Sequence, residues 1–248
     1  MSAPAGAAAA ALAQVAMEVR LTARRGENIL VTVVVPAVVL VFFSSMRLVP
    51  STGGGALAFL VPGALTLAVI ATSLVNLGIA TAYERHYGVL KRLGGSPLTR
   101  SGLMTAKVGT VLIIESLQVV LLGAIALGLG WRAGSEASAV VFIAAILLGT
   151  FAFAGLGLLM AGTLRAETTL ALVNAAFIAC LLLGGIVVPL DHLPGPLAAV
   201  AGLLPAAALS EALRVALGAG GALGPPLAIL GAWAVGAVAL TARTFRWE

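Results

Sequence analysis

Residues 56–82 read ALAFLVPGALTLAVIATSLVNLGIATA, a run without a single formal charge. A hydrocarbon core takes about 20 residues of helix to cross, so this run spans it with some tilt. Five further stretches have the same character: Ile29 to Met46, Val108 to Gly130, Ala137 to Gly162, Thr168 to Leu190 and Gly221 to Ala242. Only the one starting at Val108 contains a formal charge, Glu115. Across the whole chain 61% of residues are hydrophobic and 9% are charged, against roughly 25% charged in an average soluble domain. Lipid must solvate most of that apolar surface, and the fold class is an all-α polytopic membrane protein with six transmembrane helices. Pro225 and Pro226 suit the first turn of the last span.

The spans set the domain limits. Residues 1–28 form an N-terminal tail and an interface helix, and residues 29–248 form the six-span domain. The stretch from Met1 to Ala13 is made of small residues with no positive side chain before Arg20. That is the wrong order for a secretory signal, so a disordered lead-in is expected. After it, Leu12, Val15, Ala16 and Val19 recur at helical spacing while Gln14, Glu18, Arg20 and Arg24 fall largely elsewhere, as in a helix lying on the membrane interface. Between the fifth and sixth spans, Pro194, Pro196 and Pro205 break an apolar segment into pieces too short to cross. An external re-entrant hairpin over residues 190–220 is the expected form.

Orientation follows from the cations, because cytoplasmic loops retain Lys and Arg. Arg20, Arg24, Arg25, Arg85, Lys91, Arg92, Arg100, Lys107, Arg165, Arg243 and Arg246 fall at one set of span ends, and only Arg47, Arg132 and Arg214 at the other. Both termini are therefore expected in the cytoplasm. The net charge of +5 is spread over these ends rather than clustered on a polar face, so nucleic acid is not an expected partner and the lipid bilayer is. The single cysteine, Cys180, lies in an apolar run and supports neither a disulfide framework nor a Cys-based metal site. His86 and His192 fall on opposite sides of the membrane, so no metal site forms within one chain. Asp191 and His192 lack an evident serine partner, Ser51 and Ser210 being guesses, so no catalytic residue is assigned. No internal repeat of the carrier type is apparent. Glycines within the spans, such as Gly149, Gly155, Gly157, Gly184 and Gly185, read as close-packing positions.

Residues 83–100, YERHYGVLKRLGGSPLTR, interleave Tyr87, Val89 and Leu90 with cations before a Gly94-Gly95 stop and a new helix start at Ser96-Pro97. A charge anchor alone has no need of those apolar residues. A mixed surface of this kind suits docking to another protein. The polar groups inside the spans are the other candidates. Glu115 lies about 12 Å of helix rise into its span, with Gln118 three positions on along the same face. An intramembrane carboxylate is expensive. It can hold a cationic or hydroxylated substrate, carry a proton, bond across a subunit interface, or serve as a structural carboxyl protonated or bonded to another span. Asn76 and Asn174 are its candidate partners.

Glu84-Arg85, Gly88, Leu90, Leu93, Pro97-Leu98 and Lys107 resemble the intracellular coupling segment of bacterial ABC transporter permeases of the type-2 export family. There, a Glu-Arg-x-x-Gly-x-Leu stretch is followed by a Leu-x-x-x-Pro-Leu step. Gly184-Gly185, Pro189, Leu193-Pro194, Leu204-Pro205, Glu211 and Arg214 resemble that family's fifth span and external hairpin. His86 departs from it, standing where another charged residue is common. The resemblance implies a coupling helix over residues 83–100, with Glu84, Arg85, His86, Tyr87, Gly88, Val89, Leu90, Lys91, Arg92 and Leu93 in contact with a cytoplasmic ABC ATPase. It further implies two ATPase subunits per complex, a second permease copy or paralogue, a bacterial plasma membrane location, and export of an amphipathic drug-like or lipid substrate. Glu115, Gln118, Asn76 and Asn174 would line the substrate path. ATP and Mg²⁺ would sit on the partner and no cofactor on this chain. A P-loop needs Lys after Gly to reach the phosphates, whereas Lys91 and Lys107 follow Leu90 and Ala106. A secondary carrier and a non-transporting assembly protein are the rival readings, and an adjacent gene for a Walker-A ATPase discriminates between them and a permease.

Overall fold

The computed structural model describes residues 13–20, 26–46, 55–94 and 100–245, and among them every regular element is a helix. The stretch from Met1 to Leu12, together with Arg24, Arg25, Arg47, Ser51, Ser96, Pro97, Leu98 and Arg246, lies outside the described residues. A short helix α1 (13–20) precedes α2 (Gly26–Met46), whose 21 residues correspond to the first expected span and whose Thr32–Ser45 portion is apolar. α3 (Gly55–Val69), a π-helical segment (Ile70–Asn76) and α4 (Leu77–His86) follow as one continuous rod. After a two-residue turn comes α5 (Val89–Gly94), then the long α6 (Arg100–Gly128), α7 (Ala139–Thr163) and α8 (Ala166–Leu183). A 3₁₀ turn at Leu190–His192 leads into α9 (Gly195–Gly202), α10 (Pro205–Ala216) and finally α11 (Gly224–Thr244). The rod, α6, α7, α8 and α11 are each long and apolar enough to cross a membrane. α9 and α10 bend by 78° where they meet, so Gly195 to Ala216 is sharply bent rather than one straight span.

Local chemistry explains the boundaries. The Ser138 hydroxyl accepts from the Val141 amide at 3.4 Å and caps α7. α8 stops at Leu183, short of the expected Leu190, because Gly184 leaves helical geometry and Gly185 takes a left-handed φ of +61°. Pro196, Pro205 and Pro225 each sit in the first turn of their helices, where a missing amide proton costs nothing.

Burial sets the rod apart. Its membrane-crossing window is 83% buried within the chain, against 17% for α8. α7 is the other organising element and touches α4, the π segment, α10 and α11. Glycines permit those contacts: a methyl on Gly155 would come within 2.8 Å of Ala237 Cβ, and one on Gly157 within 2.8 Å of the Leu74 carbonyl. On the far end, a methyl on Gly63 would overlap the Ile186 carbonyl, so α3 lies directly against the chain that leaves α8.

Candidate functional site

The basic end of the bundle is built around a buried lysine. Lys107 is only 2% exposed and its Nζ donates to Glu84 Oε2 at 2.6 Å and to Glu18 Oε1 at 3.3 Å. Gln14 supports the same oxygen of Glu18 at 3.0 Å. One cation thus ties α1, α4 and α6 together, and two carboxylates compensate the cost of burying it. Arg85, next to Glu84, donates to the Leu164 carbonyl just past the end of α7. Glu84 and Arg85 are therefore engaged inside the chain.

The surface begins beyond them. The expected Glu84 to Leu93 helix is divided: α4 ends at His86, and Gly88 holds a φ of +69° in the turn before α5. Nothing lies within 4 Å of where a Gly88 side chain would start, so the backbone conformation rather than crowding calls for glycine. His86, Tyr87, Val89, Lys91 and Arg92 are exposed, while Leu90 is fully buried and anchors α5 to the bundle. The Leu93 side chain lies outside the described residues. Tyr83, His86 and Tyr87 form an aromatic cluster, with ring centroids 6.1 Å apart for the near-parallel tyrosines and 5.1 Å for the edge-on His86 and Tyr87.

Beneath this surface lies a cleft of about 460 Å³ between α2, the rod and α8. Asn76 and Asn174 both line it, with Thr32, Val75, Tyr83 and Phe177. The π segment is what turns Asn76 toward the cleft while Thr72, one turn earlier, donates to Gln118 Oε1 at 3.0 Å. Gln118 also donates to the Thr32 carbonyl at 3.1 Å and so braces the cleft wall from behind. A smaller cavity of about 40 Å³ touches Asn76 and Thr72 on one side and Lys107 and Glu18 on the other, so Asn76 borders both spaces. A wider groove of about 670 Å³ between α6, α7 and α11 is apolar, with the Thr241 hydroxyl already given to the Gly155 carbonyl at 2.7 Å. It has few groups to orient a ligand.

Glu115 stands apart from the cleft. It is 2% exposed, and its partner is Thr150 on α7, whose hydroxyl lies 2.5 Å from Oε2, rather than Asn76 or Asn174. Its Oε1 makes no hydrogen bond within the chain. Of the four expected path residues, the structure brings Asn76 and Asn174 into one cleft, places Gln118 behind its wall, and leaves Glu115 at the α6–α7 contact. Asn174 also donates to the Leu170 carbonyl at 2.8 Å, a bond within its own helix. Sequence reasoning missed Thr32, Tyr83 and Phe177 as cleft residues and Thr150 as the partner of Glu115. The spacing of Tyr83 and Tyr87 by one helical turn was the available signal. Among the described residues no cluster of His, Cys, Asp and Glu fit for a metal occurs.

Comparison with known proteins adds an independent finding. A family model described as "ABC-2 type transporter" matches residues 11–217. Curated relatives named "Probable multidrug ABC transporter permease YbhS", from Escherichia coli strain K12 and from Escherichia coli O157:H7, are each 30% identical over 155 residues. The match covers 60% of this chain and 40% of the relative in both cases.

Proposed function

The chain belongs to the ABC-2 type transporter family, and on that premise we propose that it is the transmembrane permease subunit of an ATP-driven exporter. The observation that carries the reading is the adjacency of two features. An exposed mixed surface of His86, Tyr87, Val89, Lys91 and Arg92 sits at the mouth of a membrane cleft lined by Asn76 and Asn174. A docking partner at the first feature acts directly on the second.

In this reading both termini are cytoplasmic, in a bacterial plasma membrane, and the surface from His86 to Arg92 seats an ABC ATPase that brings ATP and Mg²⁺. A second permease copy or paralogue completes the complex, with two ATPase subunits. The cleft holds an amphipathic drug-like or lipid molecule, consistent with the word "multidrug" in the name of the Escherichia coli relatives. Nucleotide-driven closure of the ATPase pair biases two arrangements of the spans, giving alternating access. Glu84 and Arg85 act one step inward, carrying that movement from the surface to α6, α1 and α7 through Lys107 and Leu164.

The test is co-purification from membranes. Reversing Lys91 and Arg92 to Glu should leave insertion intact and abolish recovery of the ATPase, since charge reversal at an interface costs several kcal/mol. Matched changes at the exposed Arg132 and Glu136 on the other end should leave it bound. Labelling should also place a cysteine at Lys91 on the cytoplasmic side and one at Ser135 outside. Export by a chain that recovers no ATPase from membranes even unmutated would overturn the permease reading in favour of a secondary carrier, and retained ATPase binding in the Lys91 and Arg92 variants would overturn the dock at this surface.

A further inference from the structure

We propose that the Tyr83–Tyr87 stack is the gate of the cleft, a pair of rings that closes its mouth at the basic end and opens when the neighbouring turn is displaced. The assignment rests on the permease reading for its biological use but on geometry for its existence.

Ala71, Val75, Ile79, Tyr83 and Tyr87 all line the cleft and follow one another at four-residue intervals, so they climb one face of the rod. The wall is aliphatic until its last two steps, where it becomes aromatic. Tyr83 is half-buried and Tyr87 is 69% exposed, and their rings lie at 27° to one another with centroids 6.1 Å apart. Among the described residues, none of α5 lines the cleft beyond Tyr87, the residue that follows the rod. The two rings therefore occupy the boundary between the cleft and the outside, with His86 edge-on against both.

The anchoring of the two rings differs, and that makes the stack a gate rather than a plug. Tyr83 belongs to α4, which Glu84 fixes to Lys107 and Arg85 fixes to the Leu164 carbonyl. Tyr87 lies beyond both anchors. It is held by its own amide bond to the Tyr83 carbonyl at 2.9 Å, and the left-handed Gly88 that follows bonds back to the Arg85 carbonyl at 3.0 Å. A load that shifts α5 together with its buried Leu90 reaches Tyr87 through this turn, while the Glu84 and Arg85 bonds hold Tyr83 in place. Separating two rings in offset contact needs no covalent or ionic rearrangement. Ala80, half-buried one turn below Tyr83 on the same wall, then becomes more accessible from the basic end.

The experiment uses the full chain in lipid nanodiscs with Cys180→Ser and Ala80→Cys, so that one thiol remains, and follows its reaction with a charged, membrane-impermeant maleimide. Tyr87→Ala should raise the labelling rate by about tenfold, whereas Tyr87→Phe, which keeps the ring, should stay within about twofold. Tyr83→Leu fills the half-buried position without a ring and should repeat the increase. A cysteine at Val140, exposed on the first turn of α7, should react at one rate in all backgrounds. An unchanged rate in Tyr87→Ala, or equal acceleration by Tyr87→Phe, overturns the gate. Neither ATPase nor nucleotide is present, so that result leaves the permease reading to the co-purification test.

Discussion

The two ends of the bundle use the same device to different effect. At each, an arginine donates to a main-chain carbonyl where a helix has just stopped: Arg85 to Leu164 after α7, and Arg214 to Gly185 after α8. Arg214 is closed in. It pairs with Glu211 at 3.2 Å, lies 4.1 Å from the centre of the Phe59 ring, and contacts Ser210, whose hydroxyl donates to the Gly184 carbonyl at 2.8 Å. Arg85 is followed at once by an exposed aromatic and basic surface. The hairpin end turns its arginine inward onto Glu211 and the Gly185 carbonyl, with Nε left without a hydrogen bond, whereas the basic end is firm up to Arg85 and then presents exposed His86, Tyr87, Val89, Lys91 and Arg92. Rigidity and exposure placed two residues apart are what a transmission element requires.

The largest effect is expected at the basic end's interior. Lys107→Ala removes the buried cation shared by Glu18 and Glu84 and should cost about 3–4 kcal/mol, read as a lowered unfolding temperature in detergent. Arg214→Ala should cost about 2–3 kcal/mol by leaving the Gly185 carbonyl without its donor and removing the packing on Phe59, with Arg214→Lys intermediate because an ammonium cannot span both the carbonyl and Glu211. Equal losses from Arg85→Ala and Arg214→Ala would erase the contrast between the ends. Gly88→Ala meets no steric obstacle but must hold a left-handed φ, a penalty of about 1 kcal/mol. Its larger consequence should be reduced co-purification of the ATPase. Smallest is Glu115→Gln, which keeps an acceptor for Thr150 and should change stability by under about 1 kcal/mol. Transport that loses its pH dependence in this variant would give Glu115 a working role, and unchanged export across pH would make it structural.

The spans were legible because hydrophobic runs of this length have few other destinations, and the hairpin was visible in Pro194, Pro196 and Pro205; the end of the fifth span at Leu183 was not, because Gly184 and Gly185 sit in an apolar run and read as packing positions. Lys107 was read as one more topological cation, yet it is buried and pairs with residues 89 and 23 positions away. No local pattern encodes partners so distant. The π segment was equally hidden, since Ile70 to Asn76 has the composition of ordinary helix and its wider register is set by neighbours such as Gly157 against Leu74. Within that segment Thr72 bonds Gln118 and Asn76 lines the cleft, while both border the small cavity beside Lys107. The helical character of Glu84 to Leu93 was legible, but its division at Tyr87–Gly88 depends on a backbone angle that a Gly permits without announcing.

The Arg214 contact also constrains the order in which the protein can be made. Gly185 leaves the ribosome 29 residues ahead of the arginine that will bond its carbonyl. For that interval α8 ends in a glycine pair whose carbonyls have only water or the insertion machinery to bond. A ribosome that stalled before Arg214 would hold an inserted α8 with an unfinished C-terminal end. The hairpin thus works as a late clasp in biosynthesis, closing the fifth span only after the chain has already turned back toward the sixth.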